Sequence, residues 1–115
     1  MAVTTIRRFE ITPLDIPLHT PFGISGGAQA MANNVLVTLE LDGGFVGHGE
    51  AAPLPPYNGE TQAQAVAALQ AARGWLVGRA ADDWRGLAEE FRQRGGAACG
   101  SAQCAFEMAL VDALN

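Results

Sequence analysis

Few residues in this chain are of types that do chemistry, and their spacing excludes most reactions. His19 and His48 are the only histidines, and neither stands beside a base–nucleophile pair. Each reads as a lone polar residue of a loop or strand rather than as a general base. Glu50 is a carboxylate of possible catalytic use, but its place at a strand end favours a structural role, accepting backbone hydrogen bonds. Glu89-Glu90 reads as a solvated helix face. Cys99 and Cys104 are five apart with no histidine nearby, which is not a zinc spacing. Both read as small buried thiols. Gly47-His48-Gly49-Glu50 is not a dinucleotide-binding turn, because no helix opens directly after it. All seven basic residues are arginines and lysine is absent, so the chain has no lysine base, Schiff-base lysine or phosphate-loop lysine. No catalytic residue and no metal ligand is assigned.

The elements that would position these groups fit one domain. The chain has 115 residues, of which 49% are hydrophobic, enough for a packed core. A net charge of −5 with scattered arginines gives no electrostatic footprint for nucleic acid. No run approaches the ~18 apolar residues of a membrane span. Residues 1–10 lack the apolar stretch of a secretory signal. A cytoplasmic location is expected.

The hydrophobic period switches once, from two to 3.6, which predicts an α+β fold: a three-stranded antiparallel meander followed by about three helices. Thr4 to Ile16 reads as the first strand, with Arg7, Phe9 and Ile11 on one face and Ile6, Arg8, Glu10, Thr12 and Leu14 on the other. Pro13 and Pro17 suit an edge strand. Asn34 to Leu41 alternates cleanly, placing Val35, Val37, Leu39 and Leu41 toward the core. Asp42-Gly43-Gly44 turns the chain into a third strand from Phe45 to Glu50. Thr61 and Gln64 form a capping-box pattern. A helix follows with an apolar stripe of Val66, Leu69, Ala72 and Leu76, ending near Gly78. A second begins after Asp82 or Asp83, with Trp84, Leu87, Ala88 and Phe91 on one face, and stops at Gly95-Gly96.

The third helix opens after Ser101, a predicted N-cap. From Ala102 to Leu114 only Gln103, Glu107 and Asp112 interrupt the apolar residues, so apolar side chains point in nearly every direction. A small sheet and two helices cover one side of such a helix. Phe106, Met108, Leu110, Val111 and Leu114 are therefore expected to draw in a partner through residues 102–114, either a second copy or a chain that carries a further domain.

Two connections stand out. Pro17 to Asn33, about 17 residues, shows little regular pattern, longer than most structureless loops in compact domains. Its Phe22 and Ile24 either serve a lid or tuck under the sheet. Ala51 to Glu60 carries three prolines. It is either a stiff connection or a support that holds Leu54 and Tyr57 over a substrate.

The order of these pieces resembles the N-terminal capping domain of the enolase superfamily, in its mandelate racemase/muconate-lactonizing branch. The resemblance rests on Pro17-Leu18-His19-Thr20-Pro21-Phe22, on Asn34-Val35-Leu36-Val37 before the Gly-Gly turn, and on Gly47-His48-Gly49-Glu50-Ala51-Ala52-Pro53. Tyr57-Asn58-Gly59-Glu60-Thr61 and the run from Ala105 to Leu114 complete it. Within that branch the first and fourth segments look most like L-Ala-D/L-Glu-type dipeptide epimerases. Muconate and chloromuconate cycloisomerases, o-succinylbenzoate synthases and N-acylamino acid racemases stay open as alternatives.

The resemblance implies a division of labour. A (β/α) barrel holds Mg²⁺ and the lysines that move the substrate α-proton, while the cap contributes two loops that close its mouth. Those loops correspond here to Thr20–Ala30 and Ala51–Glu60. Thr20, Phe22, Ile24, Ser25, Leu54 and Tyr57 are then the substrate-specificity residues, facing a small carboxylate or dipeptide only when a barrel is present. A barrel takes at least ~200 residues. The expectation is a capping body over residues 1–98 and, over 99–115, a helix that would lead into a missing barrel. The chain is expected to be inactive alone and to carry no cofactor itself, whether as a fragment, a truncated gene product or half of a split enzyme. A free-standing module for small carboxylates and a structural protein pairing with intact homologues are the rival classes.

Overall fold

The computed structural model describes residues 3–24 and 27–115, with side chains described outside residues 18–30, Pro56 and Tyr57. Three antiparallel strands come first: β1 (Ile6–Ile24), β2 (Gly27–Leu41) and β3 (Val46–Ala51), in the order β1-β2-β3. Helices α1 (Pro55–Asn58), α2 (Gln62–Leu76), α3 (Trp84–Gln93) and α4 (Gly100–Leu114) follow, with 3-10 turns at Ala81–Asp83 and Gly96–Ala98. The expected α+β order of meander and three helices is present. The single turn α1 is an addition.

β2 is the simplest element to explain. Its alternation buries Val35, Val37, Leu39 and Leu41 against the helices and leaves the intervening side chains on the open face. β1 departs from its expected phase. Ile6 pairs with Leu41 but Arg8 pairs with Glu40, so one extra residue bulges between them. Strict alternation put Ile6 and Phe9 on opposite faces. The bulge at Arg7 resets the phase, and both are buried. Arg7 is turned outward, where it pairs with Glu40.

The largest departure lies between Pro17 and Asn33. The segment expected to be a structureless loop is mostly strand: β1 runs on to Ile24, and β2 starts at Gly27. Pairing continues through Pro17↔Met31 and, after a register shift, through Phe22↔Gln29 to Ile24↔Gly27. β3 pairs with β2 only from Val35 to Glu40. Beyond Asn34 the hairpin is thus a two-stranded arm, roughly 30 Å long at the usual strand rise. Overall dimensions are 50 × 28 × 20 Å, and the radius of gyration of 14.8 Å exceeds the ~13 Å of a compact chain of this length.

The core sits between the sheet and the helices, and Phe106 of α4 is its centre. Its ring stacks on Phe91 at 4.4 Å and meets Phe9 edge-on at 6.0 Å. Trp75 of α2 lies at 6.1 Å. Leu69, Ala72 and Leu76 of α2 and Leu87, Ala88 and Phe91 of α3 are buried as their spacing predicts. The Thr61–Gln64 capping box is complete, with bonds of 3.1 and 2.9 Å.

Helix α4 is covered better than its composition suggested. Ala102, Ala105, Phe106, Ala109, Leu110 and Ala113 are buried, so Phe106 and Leu110 need no partner outside this domain. What makes room is β3, whose inward positions are Gly47, Gly49 and Ala51. A methyl group on Gly47 would lie 2.3 Å from the Ala109 carbonyl oxygen, and one on Gly49 would lie 2.1 Å from that of Ala105. Helix and strand meet backbone to backbone. The outward stripe of α4 is narrower than expected and consists of Cys104, Met108 and half-buried Val111, at i, i+4 and i+7. Cys104 is exposed, against the reading of two buried thiols, because it falls on this stripe. Cys99, just ahead of the helix, is buried.

Candidate functional site

The arm, the proline-rich segment and the start of α2 meet at one polar corner. Asn34 is the first β2 residue beyond the last β3 pairing, Val35↔Ala51. Its carbonyl accepts a 2.9 Å hydrogen bond from Gln62 Nε2, and the same amide donates to Asp15 Oδ1 at 2.8 Å. Asn34 Nδ2 donates to Glu50 Oε2 at 2.6 Å. Glu50 is thus an acceptor at a strand end, but its donor is a side-chain amide rather than the expected backbone.

The proline-rich segment is folded upon itself. Pro53 is buried and Leu54 half-buried. Pro55 and Pro56 open α1, where a missing backbone N–H costs nothing. Gly59 then takes a left-handed turn at φ 75°, which glycine adopts without steric cost. Asn58 Oδ1 accepts from the Glu60 backbone N–H at 2.9 Å.

Glu60 reaches the start of α4. Its carboxylate accepts from the backbone N–H groups of Gly100 and Ser101, each at 3.0 Å, and lies 3.5 Å from the Cys99 thiol. The predicted Ser101 N-cap is replaced by Cys99, which makes no side-chain cap, and the work of capping falls to Glu60 from 40 residues away. Hydrogen bonding by the Ser101 side chain, then by its backbone, holds the Glu60 carboxyl below the usual carboxylate range. Gly100 and Cys99 add to this, and burial opposes it. A negative charge is also favoured by the helix dipole there.

Of the specificity residues read from the sequence, Thr20, Phe22 and Ile24 lie on the distal part of β1, Phe22 opposite Gln29 and Ile24 opposite Gly27. Their side chains, that of His19, and all of Ser25 lie outside the described residues. Leu54 immediately precedes α1, and Tyr57 is within it, its side chain again outside the described residues. The anchors Gln62 and Glu60 were missed as site residues. In the sequence Glu60 stood out only within the Tyr57–Thr61 segment and Gln62 only as a neighbour of the capping box, since their partners are distant in the chain. His48 is exposed, with Nδ1 3.4 Å from Thr38 Oγ1 and its backbone N–H donating to Asp112 Oδ2 at 2.8 Å. Asp112 thereby ties α4 to β3. Among the described residues, no group of three or more His, Cys, Asp or Glu side chains is placed to hold a metal ion. No helix among the described residues is long and apolar enough to cross a membrane.

Geometry of this kind defines an α+β domain built around a projecting hairpin, with tethers rather than converging reactive groups at its polar corner. The chain belongs to the mandelate racemase/muconate lactonizing enzyme N-terminal domain family, whose model matches residues 6–115. It is 42% identical over 97% of its length to an aromatic dipeptide epimerase of Herpetosiphon aurantiacus, of which it covers 31%. The solved structure of a mandelate racemase/muconate lactonizing protein from that organism superposes with a TM-score of 0.92 at 40% identity, covering 99% of this chain and 32% of the other. A dipeptide epimerase from Cytophaga hutchinsonii, solved with Mg and the dipeptide D-Ala-L-Val, superposes at 0.84 with 29% identity, covering 92% of this chain and 28% of the other. The chain thus spans about a third of the length of such relatives.

Proposed function

We propose that this chain is the substrate-selecting cap of a dipeptide epimerase, working over a (β/α) barrel. The observation that carries the reading is the arm. The hairpin outruns its sheet from Asn34 to Gly27, where β2 pairs with β1 but no longer with β3, and its base is bonded to the start of α2, just after the proline-rich segment. Two such segments held at one corner suit closure over a neighbouring site. The names of the relatives favour a dipeptide.

In this reading Thr20, Phe22, Ile24 and Ser25 from the arm and Leu54 and Tyr57 from the proline-rich segment contact the substrate side chains and exclude water. In the same reading a barrel would supply the proton-transferring lysines and hold the Mg²⁺, whose charge would favour the enolate. The selecting body, read from the sequence as residues 1–98, takes in α4 as well, since Phe106 centres its core; residues 99–115 both complete that body and lead toward the barrel. Cys104, Met108 and Val111, beside Trp84, line an open concavity of about 480 Å³ on the outward side of α4. This stripe is the surface offered to a barrel or to a second copy.

The test is a chimera in which this chain replaces the matching N-terminal third of the Herpetosiphon aromatic dipeptide epimerase. With Mg²⁺ present, the chimera should epimerise dipeptides with a preference different from the parent's, while the 115-residue chain alone exchanges no α-proton. A folded chimera that keeps the parent's preference unchanged, or that cycloisomerises muconate instead, refutes the reading.

A further inference from the structure

We infer that Gln62 sets the angle of the arm against the proline-rich segment, as a positioning residue for substrate selection; the selection part rests on the function proposed above. Gln62 is the first residue of α2, directly after the N-cap Thr61. The two capping-box bonds fix the backbone from which its side chain departs. Its amide has two protons, and both are used: one by Asp15 of β1 and one by the Asn34 carbonyl of β2. The bonds therefore fall on different strands of the same ribbon, at the point where β3 has ended. A single bond to one strand would leave the ribbon free to twist about it. Two bonds from one planar amide resist both twist and splay. The bond to Asp15 is charge-assisted, which makes it the stronger of the pair.

The position matters because the hold on β2 changes there from burial to hydrogen bonding. Val35, Val37 and Leu39 are locked by burial, whereas neighbouring Asn34 is held by polar partners. An angular error at the base also grows along a ribbon of this length. A residue that touches no substrate thereby governs where the distal residues of β1 come to rest.

The test needs no substrate, so its outcome is independent of the chimera. Gln62→Leu keeps the shape and removes both donors. Gln62→Glu removes them and faces Asp15 with like charge, whereas Asp15→Asn keeps an acceptor. Hydrogen exchange is read over residues 27–34 and 35–41. Arm position is read as the distance distribution between spin labels on the exposed native Cys104 and on a Gln29→Cys substitution. In Gln62→Leu and Gln62→Glu, residues 27–34 should exchange about tenfold faster or more, as expected for loss of a charge-assisted hydrogen bond. The label distances should broaden, and residues 35–41 should keep their protection. Asp15→Asn, which keeps an acceptor but loses the charge, should fall between the parent chain and Gln62→Leu. Unchanged exchange and distances in Gln62→Leu overturn the inference. So does an equal loss across residues 35–41, which would make Gln62 a residue of general stability.

Discussion

The body of this domain and its arm are parts of the same sheet, yet they are held by different forces. In the body, each strand residue that faces inward meets a helix, and order follows from burial. Beyond the body the same two strands continue with backbone pairing, and the described residues at the base of the arm are held by polar anchors. Hydrophobic contacts are many and mutually redundant, so the body should fail as a unit. The anchors at the arm's base are individually addressable, so the arm should be loosened without unfolding anything else.

The strongest way to break the body is Phe106→Ala. It removes a fully buried ring that touches Phe9, Trp75 and Phe91. The expected loss is about 3–5 kcal/mol, read by denaturant unfolding, with the arm unfolding in the same transition. An arm that keeps its exchange protection after the body has melted would erase the contrast.

A smaller effect sharpens it from the loop side. Because the folded Glu60 carboxyl is held below its ordinary value, its stabilising contribution is fully present above the unfolded value. That contribution is lost as pH falls through the folded value. The stability difference between the parent chain and Glu60→Gln should therefore be constant near neutrality and shrink in acid. Comparing the two at each pH cancels the other carboxylates. A difference independent of pH across that range would mean that Glu60 caps α4 without its charge.

The smallest effect is predicted for Met108→Glu with Val111→Glu. Met108 is 45% exposed and Val111 half-buried, so the domain's own unfolding free energy should move by no more than about 0.5–1 kcal/mol. Any association through this stripe should be lost, as read by sedimentation. The same change at Leu110, which is fully buried, would unfold the domain and report nothing about partners.

What was legible in the sequence follows the same division. Val35 to Leu41, the Thr61–Gln64 box and the stripe of Leu87, Ala88 and Phe91 were readable because burial and local capping leave a periodic trace. The arm was not, since its residues show no clean alternation and its Pro, Gly, Ala and Asn residues look like loop. The bulge at Arg7 was hidden because one inserted residue changes the phase without changing composition. Glu60 and Gln62 were invisible as anchors, since their bonds span 28 to 47 residues. α4 misled in the other direction. Its alanines counted as apolar surface to be covered, when their small size is what lets the helix settle onto β3.

That seating of α4 on Gly47 and Gly49 has a mechanical consequence. Side chains between two elements act as springs, because rotamer changes absorb small displacements. Here nothing of the kind intervenes, and Asp112 pins the helix to the His48 amide as well. A push on the outward face of α4 passes into the main chain of β3, across its rungs into β2, and so along the ribbon that β2 becomes. With Gln62 holding the ribbon to the body, a slight tilt of α4 is carried out along the hairpin and magnified toward the Ile24–Gly27 pair.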